Sequence, residues 1–292
     1  MKKLLAIILA VVMVLSLAAC GGGGAEPTKK PETYPKLMGK LHQGPGWVIN
    51  ELYVWNTHKE RKVYTYEILP DTFDVNSGEK LPVIIYAHGG KGNADSLISE
   101  PKVLVADGIA GFTFEACGGS AVAPKSSEGV ATSSSRAADM YAVLQYVKTL
   151  PWVDTSKIFI YGQSAGSACV MMLAPALNGE IAGVMIESGG IGNSDDMSYE
   201  LTEDDVPEFN PKAGQGWREY VKGWKGDVII CNSEGDVGAH ANGLYSKSVY
   251  DERETGSCIF YSCPEGAHTF NAYSEEGQKI TLDAMRKMVF GE

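Results

Sequence analysis

Nucleophilic chemistry needs a hydroxyl or thiol, a base to take its proton and an acid to orient the base, and this chain places candidates for all three in one order. It holds one Gly-x-Ser-x-Gly, Gly162-Gln163-Ser164-Ala165-Gly166. The bare pattern is weak in a chain with 34 glycines, so its surroundings carry the argument. An apolar, strand-like run at 157–161 precedes it and a helix-like run at 167–173 follows. Strand, sharp turn and helix are the setting a nucleophile elbow requires, with small flanking residues that let strand and helix approach. The dipole of the helix would favour a developing oxyanion.

In such a site the base follows the acid and the acid follows the serine. Of the five histidines, only His240 and His268 lie beyond Ser164. His268 stands in CPEGAHTF, just after the last strand-like run, SCIFYSC. His240 opens a helix-like stretch and reads as a surface or capping residue. The acid should follow the strand-like DVIICN, which leaves Glu234 and Asp236. Asp236 is preferred because the S-E-G turn ends at it and an apolar pattern resumes at Val237, and Glu234 stays as the alternative. Two backbone N–H groups must receive the oxyanion. Ala165 supplies one. The other is expected from Gly90, or next Lys91, in YAHGGKGN, where no side chain at 89 or 90 blocks the approach. His88 in that loop is expected to hydrogen-bond the loop backbone, since a base so early breaks the order.

The elements that must position these groups alternate along the chain. WVINELYVW and RKVYTYEILP suggest an opening antiparallel pair. LPVIIYAH reads as a strand buried on both faces, ADSLISEPKVLVADG as a helix and AGFTFEA as a strand. The helix-like SSSRAADMYAVLQYVKTL has Ser133, Ser134 and Ser135 as possible N-caps, and IAGVMIES, DVIICN and SCIFYSC continue the strands. Such alternation predicts an α/β layer around a mostly parallel sheet, with helices on both faces. Residues 190–225 are acidic, weakly periodic and read as a short lid in a domain spanning 41–292. Leu97, Met197, Tyr199 and Trp217 are candidates to line an acyl pocket, against the commoner role of ordinary packing.

The ordered set His88-Gly89-Gly90, Gly162–Gly166, an acid after a strand and Gly266-Ala267-His268 resembles the α/β-hydrolase superfamily over about residues 60–290. FEACGGS, then a serine-rich stretch and a long helix before YGQSAG, is similar to bacterial carboxylesterases and cinnamoyl or feruloyl esterase-like acyl hydrolases. Two departures stand out. Ala165-Gly166-Ser167 replaces the Gly-Gly common after the nucleophile, and the acid loop lacks the usual H-G-x-x-D start. The resemblance implies cleavage of carboxylic esters through an acyl-enzyme, with Ser164, Asp236 and His268 as triad and no cofactor. A serine peptidase of the same fold, or a non-catalytic ligand-binding lipoprotein on that scaffold, is the alternative.

Composition bounds the partners and the compartment. A net charge of −11 argues against nucleic acid, and Glu203, Asp204, Asp205 and Glu208 disfavour an anionic substrate, leaving a neutral small-molecule or polysaccharide-linked ester. The first residues are basic (Lys2, Lys3), then apolar from 4 to 17, too short for a bilayer span and fitting a secretory signal. Leu17-Ala18-Ala19-Cys20 resembles the bacterial lipobox. It implies a signal at 1–19, a lipid on Cys20 as the sole membrane attachment and an extracytoplasmic, lipid-anchored protein. Residues 20–40, rich in Gly and Pro, read as a flexible tether. The other five cysteines show no C-x-x-C pair and no zinc-ligand spacing, so buried thiols are expected over a disulfide scaffold.

Overall fold

A computed structural model describes residues 33–119, 125–126, 132–191, 202–204, 206–207, 209–212, 215–264, 266–268 and 274–291. The signal segment, Cys20, most of the tether, Met197, Tyr199, Asp205 and Glu208 lie outside the described residues. Nine strands among those described build one sheet in the order β1-β2-β3-β5-β4-β6-β7-β8-β9. They are β1 Lys36–Gly44, β2 Trp47–Asn56, β3 Arg61–Pro70, β4 Leu81–Ala87, β5 Ala110–Glu115, β6 Val153–Gln163, β7 Gly183–Glu187, β8 Asp227–Ser233 and β9 Cys258–Cys263. The pairs β1–β2, β2–β3 and β3–β5 are antiparallel. The strands from β5 through β4 and β6 to β9 are parallel.

The parallel strands are apolar runs because both of their faces are covered. Val83, Ile85, Ile158, Ile160, Val184, Ile186, Val228 and Ile230 face one hydrophobic core. Their neighbours Ile84, Tyr86, Phe159, Tyr161, Met185, Ile229 and Cys231 face the other. Helices α2 Ser133–Lys148 and α3 Ala165–Leu173 cover the first face, while α1 Ser99–Leu104 and α6 Glu275–Phe290 lie on the second. Each fully buried Val or Ile contributes about 1.5–3 kcal/mol. The set holds the carboxyl ends of the strands in fixed register.

Three local departures from the sequence reading have physical causes. Strand β1 takes in the end of the stretch read as tether. It is mostly exposed, pairs only with β2 and carries two register shifts, so no hydrophobic alternation marks it. The helix read across 94–108 is broken into a 3-10 turn Ala94–Leu97, α1 and a second 3-10 turn Val105–Asp107. A continuous helix would put Pro101 in its interior, and restarting at Ser99 places it in a first turn, where its missing N–H costs nothing. The cap of α2 is Thr132 rather than a serine at 133–135: its hydroxyl accepts from the Ser135 N–H (3.0 Å), and Ser135 Oγ accepts from the Thr132 N–H (3.0 Å).

In the segment read as a lid, Val206, Phe209, Tyr220, Val221 and Trp224 are buried in the first core. The short helix α4 Trp217–Val221 lies within it. The cysteines at 117, 169, 231, 258 and 263 are free thiols, all buried except the half-buried Cys258.

Candidate active site

The chain runs from β4 to β5 on one side of β4 and then crosses to β6 on the other. The carboxyl end of β4 is thus a switch point of the sheet, where open α/β sheets leave a crevice. Gly89 follows β4 there and Ser164 follows β6. A Cβ built on Gly89 would lie 3.2 Å from Ser164 Cβ, so the glycine lets that loop pass close to the serine without displacing it.

Ser164 has φ 53° and ψ −117°, outside the regions L-residues favour. Such a residue costs of order 1–3 kcal/mol and persists where its surroundings over-determine it. Its N–H donates to Glu187 O (2.9 Å), and its carbonyl accepts from the Ser167 N–H (2.9 Å) and hydroxyl (2.5 Å). Helix α3 starts at the next residue, directing its N-terminal N–H groups toward the serine's end of the sheet.

Asp236 caps the helix α5 Val237–Tyr250, where its Oδ1 accepts from the Ala239 N–H at 3.2 Å. Its Oδ2 lies 2.5 Å from His268 Nδ1, and His268 Nε2 lies 2.7 Å from Ser164 Oγ. Desolvation pushes the Asp236 carboxyl up. The hydrogen bond from His268, the Ala239 N–H and the charge of the imidazole outweigh it and hold the group below the usual carboxylate range. An ionised Asp236 makes Nδ1 the protonated nitrogen and leaves Nε2 to accept from the serine hydroxyl. The structure therefore brings Ser164, His268 and Asp236 into one hydrogen-bonded line. It does not bring Glu234 to His268: Glu234 is exposed and accepts from Ser262 Oγ (2.9 Å). That hydroxyl also faces His240 Nε2 at 3.2 Å, and the half-buried His240 packs edge-on to Phe260.

Buried His88 hydrogen-bonds loop backbone on both sides. Its Nδ1 is 2.6 Å from Gly89 O, and its Nε2 accepts from the Ala116 N–H at 3.2 Å. Burial pushes the imidazole down to about 4, with the Gly89 carbonyl opposing and the Arg136 charge adding. The ring thus stays neutral and ties the 88–92 loop to the end of β5. Gly92 N–H closes that loop onto Gly89 O (3.3 Å), Lys91 takes φ 60°, and the Cα of Gly90 faces open space. Leu97 is packed in the second core, and half-buried Trp217 packs against the first beside Tyr220.

Sequence reasoning missed Glu187, fully buried at the end of β7. Its carboxylate accepts from Tyr161 OH (2.7 Å), Gln163 Nε2 (2.9 Å) and Thr281 Oγ1 (3.4 Å), directly behind the elbow. The signal was a lone acid closing the apolar strand of IAGVMIES.

This sheet, with an elbow serine after β6, is the α/β-hydrolase fold. No family model matches the sequence. Solved structures similar to it include Est1E from Butyrivibrio proteoclasticus with ferulic acid bound (TM-score 0.61, 16% identity, covering 82% of this chain and 99% of that one). Acetyl xylan esterase 1 from Thermoanaerobacterium sp. JW/SL YS485 is similar at TM-score 0.61 and 16% identity, with 88% of each chain covered. The acetyl xylan esterase from Paenibacillus sp. R4 is similar at TM-score 0.62 and 14% identity, covering 87% of this chain and 89% of that one.

Proposed function

We propose that the protein is a serine hydrolase that cleaves carboxylic esters through an acyl-enzyme. The observation that carries this reading is the line Ser164 Oγ, His268, Asp236 with contacts of 2.7 and 2.5 Å. Ser164 Oγ attacks the ester carbonyl while His268 Nε2 takes its proton, and Asp236 holds the imidazole and stabilises its charge. The N–H groups of Ala165 and Gly90 receive the oxyanion. His268 then protonates the departing alcohol. A water that gives its proton to the same nitrogen attacks the acyl-enzyme and releases the acid.

Two of the similar structures named above are acetyl xylan esterases by name and the other holds ferulic acid, which supports an ester over an amide. They also support a polysaccharide-linked acyl group as the substrate class. The acidic chain favours a neutral one. A lipid on Cys20 holds the enzyme outside the bacterial cell membrane, where such polymers are met, and Cys20→Ser releases it from membranes.

Ser164→Ala tests the reading on short-chain nitrophenyl esters. Turnover falls by on the order of 10⁴ with the fold intact, and labelling by a fluorophosphonate probe disappears. A variant that keeps wild-type turnover refutes the assignment, and a folded wild type that neither labels nor turns over refutes the enzyme.

A further inference from the structure

The acid and the histidine reach the site on separate loops, and one hydroxyl ties those loops together. Strands β8 and β9 end side by side, with Ser233 paired to Cys263. The Glu234 N–H donates to Cys263 O (2.9 Å), and the Asp236 N–H turns back onto Ser233 O (3.2 Å). Ser233 Oγ then donates to Gly266 O at 2.8 Å and accepts from the Gly235 N–H at 3.2 Å. The seat is tight: a Cβ on Gly235 would lie 2.2 Å from Gly266 O, and Gly266 itself has φ +122°. The Gly266 carbonyl is held between the Ser233 hydroxyl and the Cα of Gly235, two residues before His268.

His268 needs such a tie. Its side chain is 59% exposed, so packing does little to orient it, and its contact with Asp236 depends on where the 266–268 backbone sits. Ser233 is buried at 1% exposure and belongs to a strand, so it carries the rigidity of the sheet to that backbone. We infer that Ser233 is a positioning residue, which through Gly266 sets His268 at hydrogen-bond distance from Asp236. This rests on the acyl-transfer reading above. The chemistry of the position asks for one group that both donates and accepts, which Thr retains and Ala lacks.

The test compares the full chain with S233A, S233T and S233C. In S233A, kcat on nitrophenyl acetate falls by about 10- to 100-fold, as a misplaced catalytic group should give, while KM changes less than about threefold. S233T restores kcat to within about threefold of wild type. Where S233A fails to fold, S233C, which keeps the volume with a weak donor, is read in its place and loses kcat in the same sense. Proton NMR supplies a readout independent of turnover: the far-downfield Nδ1 proton of His268, identified by its loss in His268→Ala, is sharp in wild type and S233T and is broadened or lost in S233A. Wild-type kcat and a sharp resonance in S233A overturn the inference, as do equal losses in S233A and S233T. If wild type hydrolyses no ester, the acyl-transfer reading fails, and the resonance alone still decides whether Ser233 positions His268.

Discussion

One carboxylate does two separable jobs, and a pair of substitutions at Asp236 separates them. Oδ1 caps α5 through the Ala239 N–H, and Oδ2 holds His268. Asn caps a helix about as well as Asp, whereas Ala in a capping position costs about 1 kcal/mol. Asn can present its amide NH2 to His268 Nδ1, which moves the ring proton to Nε2 and leaves no acceptor for the Ser164 hydroxyl. That tautomer error costs on the order of 10⁴ in kcat, or about 5 kcal/mol of barrier. Asp236→Asn should therefore melt close to wild type with turnover down by four decades. Asp236→Ala should show a similar loss of turnover and a melting temperature lower by roughly 2–4 °C. The pH dependence adds a sign. A carboxyl held below its ordinary value stabilises the fold above the unfolded value of about 3.9 and loses that contribution as pH falls through the lower folded one. Wild type should accordingly lose more stability than the Asn variant below pH 4. Nitrophenyl ester turnover and thermal melts from pH 3 to 7 read all of this. Asp236→Asn within tenfold of wild-type turnover, or as unstable as Asp236→Ala, would refute the division of labour.

Two further outcomes follow from buried groups. His88 is neutral in the fold down to about pH 4 but protonates near 6.5 when unfolded, so wild type should lose about 3 kcal/mol relative to His88→Gln as pH falls from 6.5 to 4. Urea titrations of both proteins at several pH values check this, and parallel slopes would count against it. Arg61 donates through Nε and Nη2 to Asp139 Oδ1 at 2.8 Å, and Asp139 is fully buried, its carboxyl pushed up by burial. Arg61→Met should cost about 3–5 kcal/mol in the same titrations, because it leaves a buried carboxylate with neutral donors, Asn56 Nδ2 (3.0 Å) and the Cys117 N–H (2.9 Å), and no opposite charge, and a loss under 1 kcal/mol would sink the argument.

What could be read from sequence depended on whether local chemistry alone decided it. The strands β4 and β6 were legible because burial on both faces demands continuous apolar runs, and the elbow because backbone contact demands glycine. Strand β1 was not legible: an exposed edge strand needs only backbone partners, and KLMGKLHQG carries no periodicity. Asp236 and Glu234 differ by two residues in one turn, and either carboxylate would suit a triad. Their divergence, one to His268 and the other to Ser262, depends on where β9 and the loop after it lie. Glu187 was not legible either, because only the fold brings Tyr161 and Gln163 of β6 and Thr281 of α6 onto its carboxylate from two elements.

The two halves of the site are held in physically different ways. Around Ser164, backbone meets backbone. A Cβ on Gly162 would lie 2.1 Å from Gly166 O, and one on Gly166 would lie 2.1 Å from Ala87 O, so the ends of β4 and β6 and the start of α3 touch with no side chain between them. Glu187 braces this junction from behind, taking the Ser164 N–H on its carbonyl and the Gln163 amide on its carboxylate. Those contacts offset a strain of order 1–3 kcal/mol at the serine, and any side chain added at 162 or 166 must move a strand end or the helix itself. The acid and the histidine stand instead on two loops joined by single hydrogen bonds, with His268 largely exposed. Side chains added at 162 or 166 should therefore act on fold and activity together. Asp236→Asn, which keeps the helix cap, should change activity while the fold stays, and that difference lets the two roles of Asp236 be measured separately.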